Sequence, residues 1–513
     1  MTPHCATRRE WIGLAVIALP CLVYAMDLTV LNLAVPAISA ELSPSSAQLL
    51  WIIDIYGFLV AGFLITMGTL GDRIGRRKLL LIGAAAFAAA SVVAAFAHSV
   101  ATLIAMRALL GIAGATLAPS TLSLIRNMFH DEEQRRFAIG VWIASFSLGG
   151  VIGPLVGGVV LQWFDWRAIF LVAVPVMLLL LALGPKLLPE YKDPNAGRID
   201  AASVLLSIGA VLGSIYGLKQ LAEQGASAGA LAVLAAGIAL GIVFVRRQSR
   251  LIYPLLDLQL FRRPAFSAAI AAYGMSCLAM FGMLIFITQY LQGVLGLSPL
   301  QAGLATVPWS AGFLVGSLLA PRLARGRSVP RIMIGGLCVA ALAFLMLGFI
   351  DHRFGLQVLI AATVLMSLAL APVFTLGNEV IVTSAPPERT GAASAISETS
   401  AEFSGALGIA LLGSLGTWLY RSRLGDALPA PLLPSLPSEA LATLGSTLAT
   451  AKTLPGPAGA ALDAAARAAF IASFELVALV AAAIVALAAL LAARILRGPL
   501  PLAAAAPEPP RAL

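Results

Sequence analysis

The chain has 513 residues, 60% of them hydrophobic and only 11% charged, with a formal net charge of +9. A soluble domain carries about 25% charged residues, so this composition excludes a large soluble enzyme and indicates a polytopic membrane protein. The positive charge lies between apolar runs and forms no single patch, which speaks against a nucleic-acid partner. The four cysteines (Cys5, Cys21, Cys277, Cys338) and four histidines are scattered without metal-ligand spacing, so no metal or cofactor is expected.

Fourteen apolar runs approach the ~20 residues a helix needs to cross a bilayer. They lie near 11–38, 48–70, 78–97, 101–125, 137–162, 167–187, 200–220, 228–246, 266–292, 300–323, 330–349, 355–379, 391–419 and 468–492. Arg8 and Arg9 before the first run imitate a leader, but the run is long, contains Asp27 and leads into further spanners, so it is read as spanner 1. With the N-terminus inside, most of the 33 Lys/Arg fall on the cytoplasmic side, including Arg73/Arg76/Arg77/Lys78, Arg246/Arg247/Arg250/Arg262/Arg263 and Arg322/Arg325/Arg327/Arg331. Both termini are then cytoplasmic. The longest hydrophilic break, 420–467, is expected as an outside loop with one interfacial helix near Ser438–Leu448.

Charges inside these runs are few. Asp27 is the only one in Trp11–Ile38, and an unpaired carboxylate there costs roughly 2.5–3.5 kcal/mol on insertion scales. Asp54 lies toward the outer end of spanner 2. Arg107, six residues into spanner 4, either snorkels to the outer face or needs a carboxylate or carbonyl partner. Asp27 is a candidate for that partner, in a structural pair, or a free functional acid. Glu398 and Glu402, spaced i,i+4, share one face of spanner 13, about 11 and 16 Å from its inner end at ~1.5 Å per residue. Burial and a like-charged neighbour both favour the neutral acid, so one of the two is expected to hold a proton near neutrality. Such a site binds a proton or an organic cation but not both. Glu379 is expected at the inner interface.

The chain repeats at an offset of 255 residues. Leu42-Ser43-Pro44-x-x-Ala47 recurs as Leu297-Ser298-Pro299-x-x-Ala302, and Gly57-Phe58-Leu59-Val60 as Gly312-Phe313-Leu314-Val315. Glu133, Ser145, Gly150, Gly153 and Gly158 meet Glu388, Ser400, Gly405, Gly408 and Gly413. This divides the chain into a six-helix bundle over 1–190, an inserted pair with linkers over 191–263, a second six-helix bundle over 264–500 and a tail over 501–513. Parallel halves around a midplane site are the plan of a secondary transporter.

Four strings carry a resemblance. Gly68-Thr69-Leu70-Gly71-Asp72-Arg73-Ile74-Gly75-Arg76-Arg77-Lys78, between spanners 2 and 3, resembles the loop signature of the major facilitator superfamily. Gly149-Gly150-Val151-Ile152-Gly153-Pro154-Leu155-Val156-Gly157-Gly158 resembles that superfamily's antiporter motif in spanner 5, with glycines spaced for close helix contact and a proline that allows a bend. Met26-Asp27-Leu28 through Pro36, with Asp165-Trp166-Arg167, resembles the fourteen-spanner drug:proton antiporters of the QacA/SmvA quaternary-ammonium type.

The resemblance implies an all-α major facilitator fold of two six-helix bundles plus two inserted helices. It implies proton-coupled export of lipophilic organic cations from the inner membrane by a monomer. Asp27, Asp54, Glu398 and Glu402 would bind proton and cation, and Arg107 would govern coupling. Gly68, Asp72, Arg73, Gly75, Arg76 and Arg77 would form a latch between the halves; Gly149, Gly153, Pro154, Gly157 and Gly158 would be the antiporter helix. Those exporters can carry an acid in spanner 10, and none lies in 300–323 here. Export of a neutral or anionic metabolite is the alternative. A membrane enzyme on lipid-linked substrates finds no His/Asp/Ser constellation in 420–467, and no Walker A string points to ATP.

Overall fold

The structure, a computed structural model, describes residues 6–496 except 43, 45, 193–199, 225–226, 253, 298, 351–354, 387–389, 428–440, 442 and 455–456. Some side chains within helices, those of Asp54 and Pro154 among them, also lie outside the described residues, as does the tail 501–513. The described chain is helical. In order run α1 (Arg8–Leu42), α2 (Ser46–Ile74), α3 (Arg76–Ala95), α4 (Val100–Gly114), α5 (Leu117–Met128), α6 (Glu132–Trp163), α7 (Ala168–Leu171) and α8 (Ala173–Leu187). A pair, α9 (Ala201–Gln224) and α10 (Ala228–Gln248), follows. Then come α11 (Pro264–Gln289), α12 (Pro299–Ala324), α13 (Val329–Leu347), α14 (Gly355–Ser384), α15 (Thr390–Ala427), α16 (Leu444–Thr453) and α17 (Pro457–Ile495). Among the described residues, 13 helical stretches are long and apolar enough to cross a membrane. Helix α6, 32 residues long, stands at the expected fifth spanner.

Two expected spanners are interrupted. The run 101–125 is α4 and α5, broken at Ala115–Thr116, and 167–187 is α7 and α8, broken at Val172. Proline explains both. Pro119 and Pro175 lack the amide that would bond the carbonyls of Ala115 and Leu171, so the ladder stops and restarts. The expected outside loop 420–467 is shorter than its range: α15 reaches Ala427 and α17 begins at Pro457. The stretch 457–467 is alanine-rich, a strong helix former, and Asp463 pairs with Arg467 at 2.7 Å one turn on. Arg467 also donates to the Gly293 carbonyl at 2.7 Å, seating α17 against the π-helical end of α11. Of the interfacial helix expected near Ser438–Leu448, residues 438–440 and 442 lie outside the described residues. A helix is present from Leu444, capped reciprocally by Thr443 and Ser446.

Glycines set the packing that positions α1. A Cβ on Gly149 would sit 2.2 Å from the Leu22 carbonyl, and one on Gly153 2.2 Å from Thr29 Oγ1, so α6 lies directly on the α1 backbone around Asp27. The second copy does the same: a Cβ on Gly408 would sit 2.1 Å from the Leu278 carbonyl, where α15 lies on α11. Gly157 is buried, while Gly150 and Gly158 face open space, so the other motif glycines do not all make contact. Helix α6 runs through the motif without a break. Substituting Gly149→Leu drives a side chain into backbone and should lower stability by about 1–3 kcal/mol. Gly158→Ala, with nothing within 4 Å, should change the thermal midpoint of the purified protein little.

Candidate functional site

The helices before the inserted pair and those after it meet chiefly through α6 on α12 and α2 on α15. At the face carrying Arg73, Arg76 and Arg77, here the basic face, polar ties join the two sets. In the loop motif, α2 gives way to α3 across one residue, Gly75, whose φ of 112° is open to glycine and strained for other residues. Arg76, fully buried, pairs with Asp72 and donates to the Gly68 carbonyl at 2.6 Å. The other Asp72 oxygen accepts from the Ala392 amide of α15 at 3.2 Å. Arg77 donates to the Pro185 and Leu188 carbonyls, tying the loop to the end of α8.

Further ties at this face were read from sequence only as charges that set topology. Glu379 is buried on α14 beneath Arg136, at 2.8 Å, and Arg135, at 3.5 Å. Arg136 also pairs with Glu132 one turn away. Arg325, just beyond α12, pairs with Glu133. Arg126 of α5 donates to the carbonyls of Val382 and Ala385 and to Thr390 Oγ1. The i,i+4 spacing of Glu132 and Arg136, and the recurrence of Glu133 at Glu388, were the available signals.

Deeper in the bundle, Arg107 is 1% exposed and pairs with Asp27. Its Nε donates to the Ile52 carbonyl at 3.1 Å, and the guanidinium lies 4.7 Å from the Tyr56 ring centre. Arg107 therefore points inward, and the snorkelling alternative is not the arrangement found. Tyr24 stands beside Tyr56, their rings 5.9 Å apart. Asp54 lies outside the described side chains.

Glu398 and Glu402 face the seam between the two sets. Both are half-buried, and Glu398 Oε1 is buried without a hydrogen-bond partner among the described residues. Glu398 lies within electrostatic reach of Cys21 and Tyr24 on α1 and of Tyr273 and Cys277 on α11. Glu402 reaches Tyr24 and Tyr56 from the same helix face. Nearby, Ser397 donates to Asn378 Oδ1 at 2.7 Å, and the Asn378 amide faces Tyr273. Trp142 Nε1 donates to Thr121 at 2.8 Å, and Thr121 touches Cys21. Among the described residues no cluster of His, Cys, Asp and Glu is arranged to hold a metal. The structure thus joins Asp27 to Arg107 and brings Glu398 and Glu402 against the first set. It holds Glu379 apart at the basic face.

On the opposite face, Asp165-Trp166-Arg167 forms a clamp. Arg167 makes two contacts of 2.9 Å to the Glu41 carboxylate at the end of α1, and Trp166 Nε1 adds a third at 2.8 Å. These bonds, Arg167 foremost, hold the Glu41 carboxyl below its usual range.

Residues 17–409 match the family model described as Major Facilitator Superfamily. The chain belongs to the major facilitator superfamily. It is a multi-pass membrane transporter and carries out no enzymatic reaction of its own. The multidrug efflux pump LfrA of Mycolicibacterium smegmatis is 45% identical over 462 residues, 90% of this chain and 91% of that one. The methyl viologen resistance protein SmvA of Salmonella typhimurium is 33% identical, covering 91% and 94%. The tetracenomycin C resistance and export protein of Streptomyces glaucescens is 32% identical, covering 93% and 90%. The fold of the human organic anion transporter MFSD10 superposes with a TM-score of 0.59 at 15% identity, over 93% of this chain and 99% of that one.

Two predictions follow from these side chains. Removing the Arg107 side chain (Arg107→Ala) leaves a buried carboxylate unpaired and should destabilise the purified protein by about 3–5 kcal/mol. Adding Asp27→Asn should restore part of the loss in thermal midpoint. At the basic face, the hydrogen bond from Arg325 holds the Glu133 carboxyl below its usual range. A depressed carboxylate contributes fully above its unfolded value of ~4.3 and its contribution is lost as pH falls through the folded value. Local opening at the basic end of α12, read from hydrogen exchange corrected for its intrinsic pH dependence, should therefore be unchanged from pH 7 to 5 and rise below about pH 4. Glu133→Gln should show that rise already at pH 7.

Proposed function

We propose that this transporter exports lipophilic organic cations, drugs and quaternary ammonium biocides among them, in exchange for protons. The observation that carries this reading is the pair Glu398 and Glu402 at the seam between the two helix sets, with one carboxylate oxygen lacking any partner among the described residues. An acid so placed is satisfied by a proton or by a cation, and the two exclude each other. Tyr24 and Tyr273 near it are aromatic rings of a kind suited to a delocalised cation. The relatives support the reading: one is named for multidrug efflux and another for resistance to methyl viologen, a quaternary bipyridinium dication.

In this reading the chain crosses a bacterial-type inner membrane fourteen times, with the basic face and both termini in the cytoplasm. The division is into bundles 1–190 and 264–500 around the insertion 191–263. Glu402 and Glu398 exchange proton and cation, with Asp54 assisting. Asp27 competes with its own partner: when protonated it releases Arg107, coupling proton uptake to movement of α1 against α4. The ties through Asp72, Glu379, Glu133 and Arg126 hold the cytoplasmic side shut, and alternating access breaks them together. The superfamily's usual working unit, a monomer, is sufficient.

Ethidium accumulation in cells expressing the protein tests this. Wild type should hold accumulation low, and a proton uncoupler should bring it to the empty-vector level. Glu402→Gln and Glu398→Gln should each raise accumulation toward the vector level without changing the amount of protein in the membrane. Wild-type accumulation equal to empty vector would reject cation export in favour of a neutral or anionic metabolite.

A further inference from the structure

The inserted pair has no counterpart in the repeat, and its packing leaves a space. Helices α9 and α10 touch backbone to backbone, a Cβ on Gly213 standing 3.1 Å from Gly237 Cα, and α9 rests on α2 and α15. Between the pair and those two helices runs a lateral groove of about 570 Å³. Its walls include Ile65, Val211, Ile242 and Phe403, with Arg246 at one end, and no carboxylate lines it. Arg246 lies two residues from the end of α10 and Gly237 eleven, so the groove extends over ~13 Å at ~1.5 Å per residue. That is close to one leaflet of a hydrocarbon core ~30 Å thick.

The charge at its mouth selects the occupant. Neighbouring Arg247 is engaged by Asp200, at 2.6 and 3.1 Å. Arg246 is exposed and makes no side-chain hydrogen bond or ion pair among the described residues. We propose that this groove binds an anionic glycerophospholipid from the leaflet at the basic face, with one acyl chain along the apolar walls and its phosphate on Arg246. A transported cation suits it badly, because among the described lining residues the charge it would meet, Arg246, is positive. The lipid would sit against Phe403, the residue after Glu402, and fill the seam by which the insertion is held to α15.

Native mass spectrometry of the full chain in detergent tests this, with phosphatidylglycerol and phosphatidylcholine of matched acyl chains as probes. Wild type should retain phosphatidylglycerol in preference to phosphatidylcholine. Arg246→Ala should weaken phosphatidylglycerol about fivefold, the size expected of one basic residue near a headgroup, and leave phosphatidylcholine unchanged. Gly241→Leu should weaken both lipids by filling the groove. Its Cβ meets only Ala210 Cβ at an ordinary 3.7 Å, so the helix pair should tolerate it. Equal retention of the two lipids by wild type would reduce the groove to bulk lipid contact and overturn the proposal. So would a Gly241→Leu protein that still binds phosphatidylglycerol normally, which would put the headgroup on the helix end alone. Displacement of phosphatidylglycerol by ethidium from wild type but not from Gly241→Leu would make the occupant a cation and overturn it as well. Arg246 is exposed, so its variant reads out even if the groove-filling one does not fold.

Discussion

A charge taken out of water costs several kcal/mol unless a partner of good geometry compensates it. The arrangement of the first helices follows from how Asp27 and Arg107 meet that cost. Each sits on a helix otherwise apolar at that depth, so α1 and α4 must bring them together. The Ile52 and Ile53 carbonyls of α2 accept two further guanidinium hydrogens. Three helices are thereby registered at one height. The glycine seam of α6 adds a fourth, because α1 can lie on it only where Leu22 and Met26 expose backbone to Gly149 and Gly153.

Glu398 and Glu402 present the opposite solution. No arginine is offered to them among the described residues, and what surrounds them is weakly polar: tyrosine, cysteine and serine hydroxyls and thiols. Such an environment tolerates a carboxyl group without committing it to one state. Two acids tied down by guanidinium, Glu379 and Asp72, lie near the basic face, while Glu398, one oxygen of which has no partner among the described residues, lies at the seam beside Glu402.

The helices were legible from hydropathy because twenty apolar residues admit few other structures. Their ends were less so. The breaks at Ala115–Thr116 and Val172 depend on single prolines inside runs that read as continuous, and the start of α17 depends on alanine propensity, which a hydropathy reading counts as ordinary loop. Buried charges were legible as anomalies; of their partners only Asp27 was, as one candidate for Arg107. That Arg107 needs a partner follows from its burial, but the choice of Asp27 depends on how α1 crosses α4. The ties of Arg126, Arg135, Arg136 and Arg325 were hidden for another reason. Basic residues at a membrane face already have an explanation in topology, and the i,i+4 spacing of Glu132 and Arg136 points to a contact within one helix, not to a reach across to the other helix set.

One consequence lies in the connections. Helices α2 and α3 are joined by Gly75 alone, α5 and α6 by residues 129–131, and α12 and α13 by residues 325–328. Such joints leave few torsions to rotate, so within either set the helices cannot slide far past one another at the basic face. Residues 191–263 span the two sets, and their length includes the α9–α10 hairpin. The hairpin itself rests on α2 and α15, one helix from each set, and so ties the two sets at a second place. The shortness of these joints thereby makes the helices of each set move at that face more nearly as one body than as separate rods.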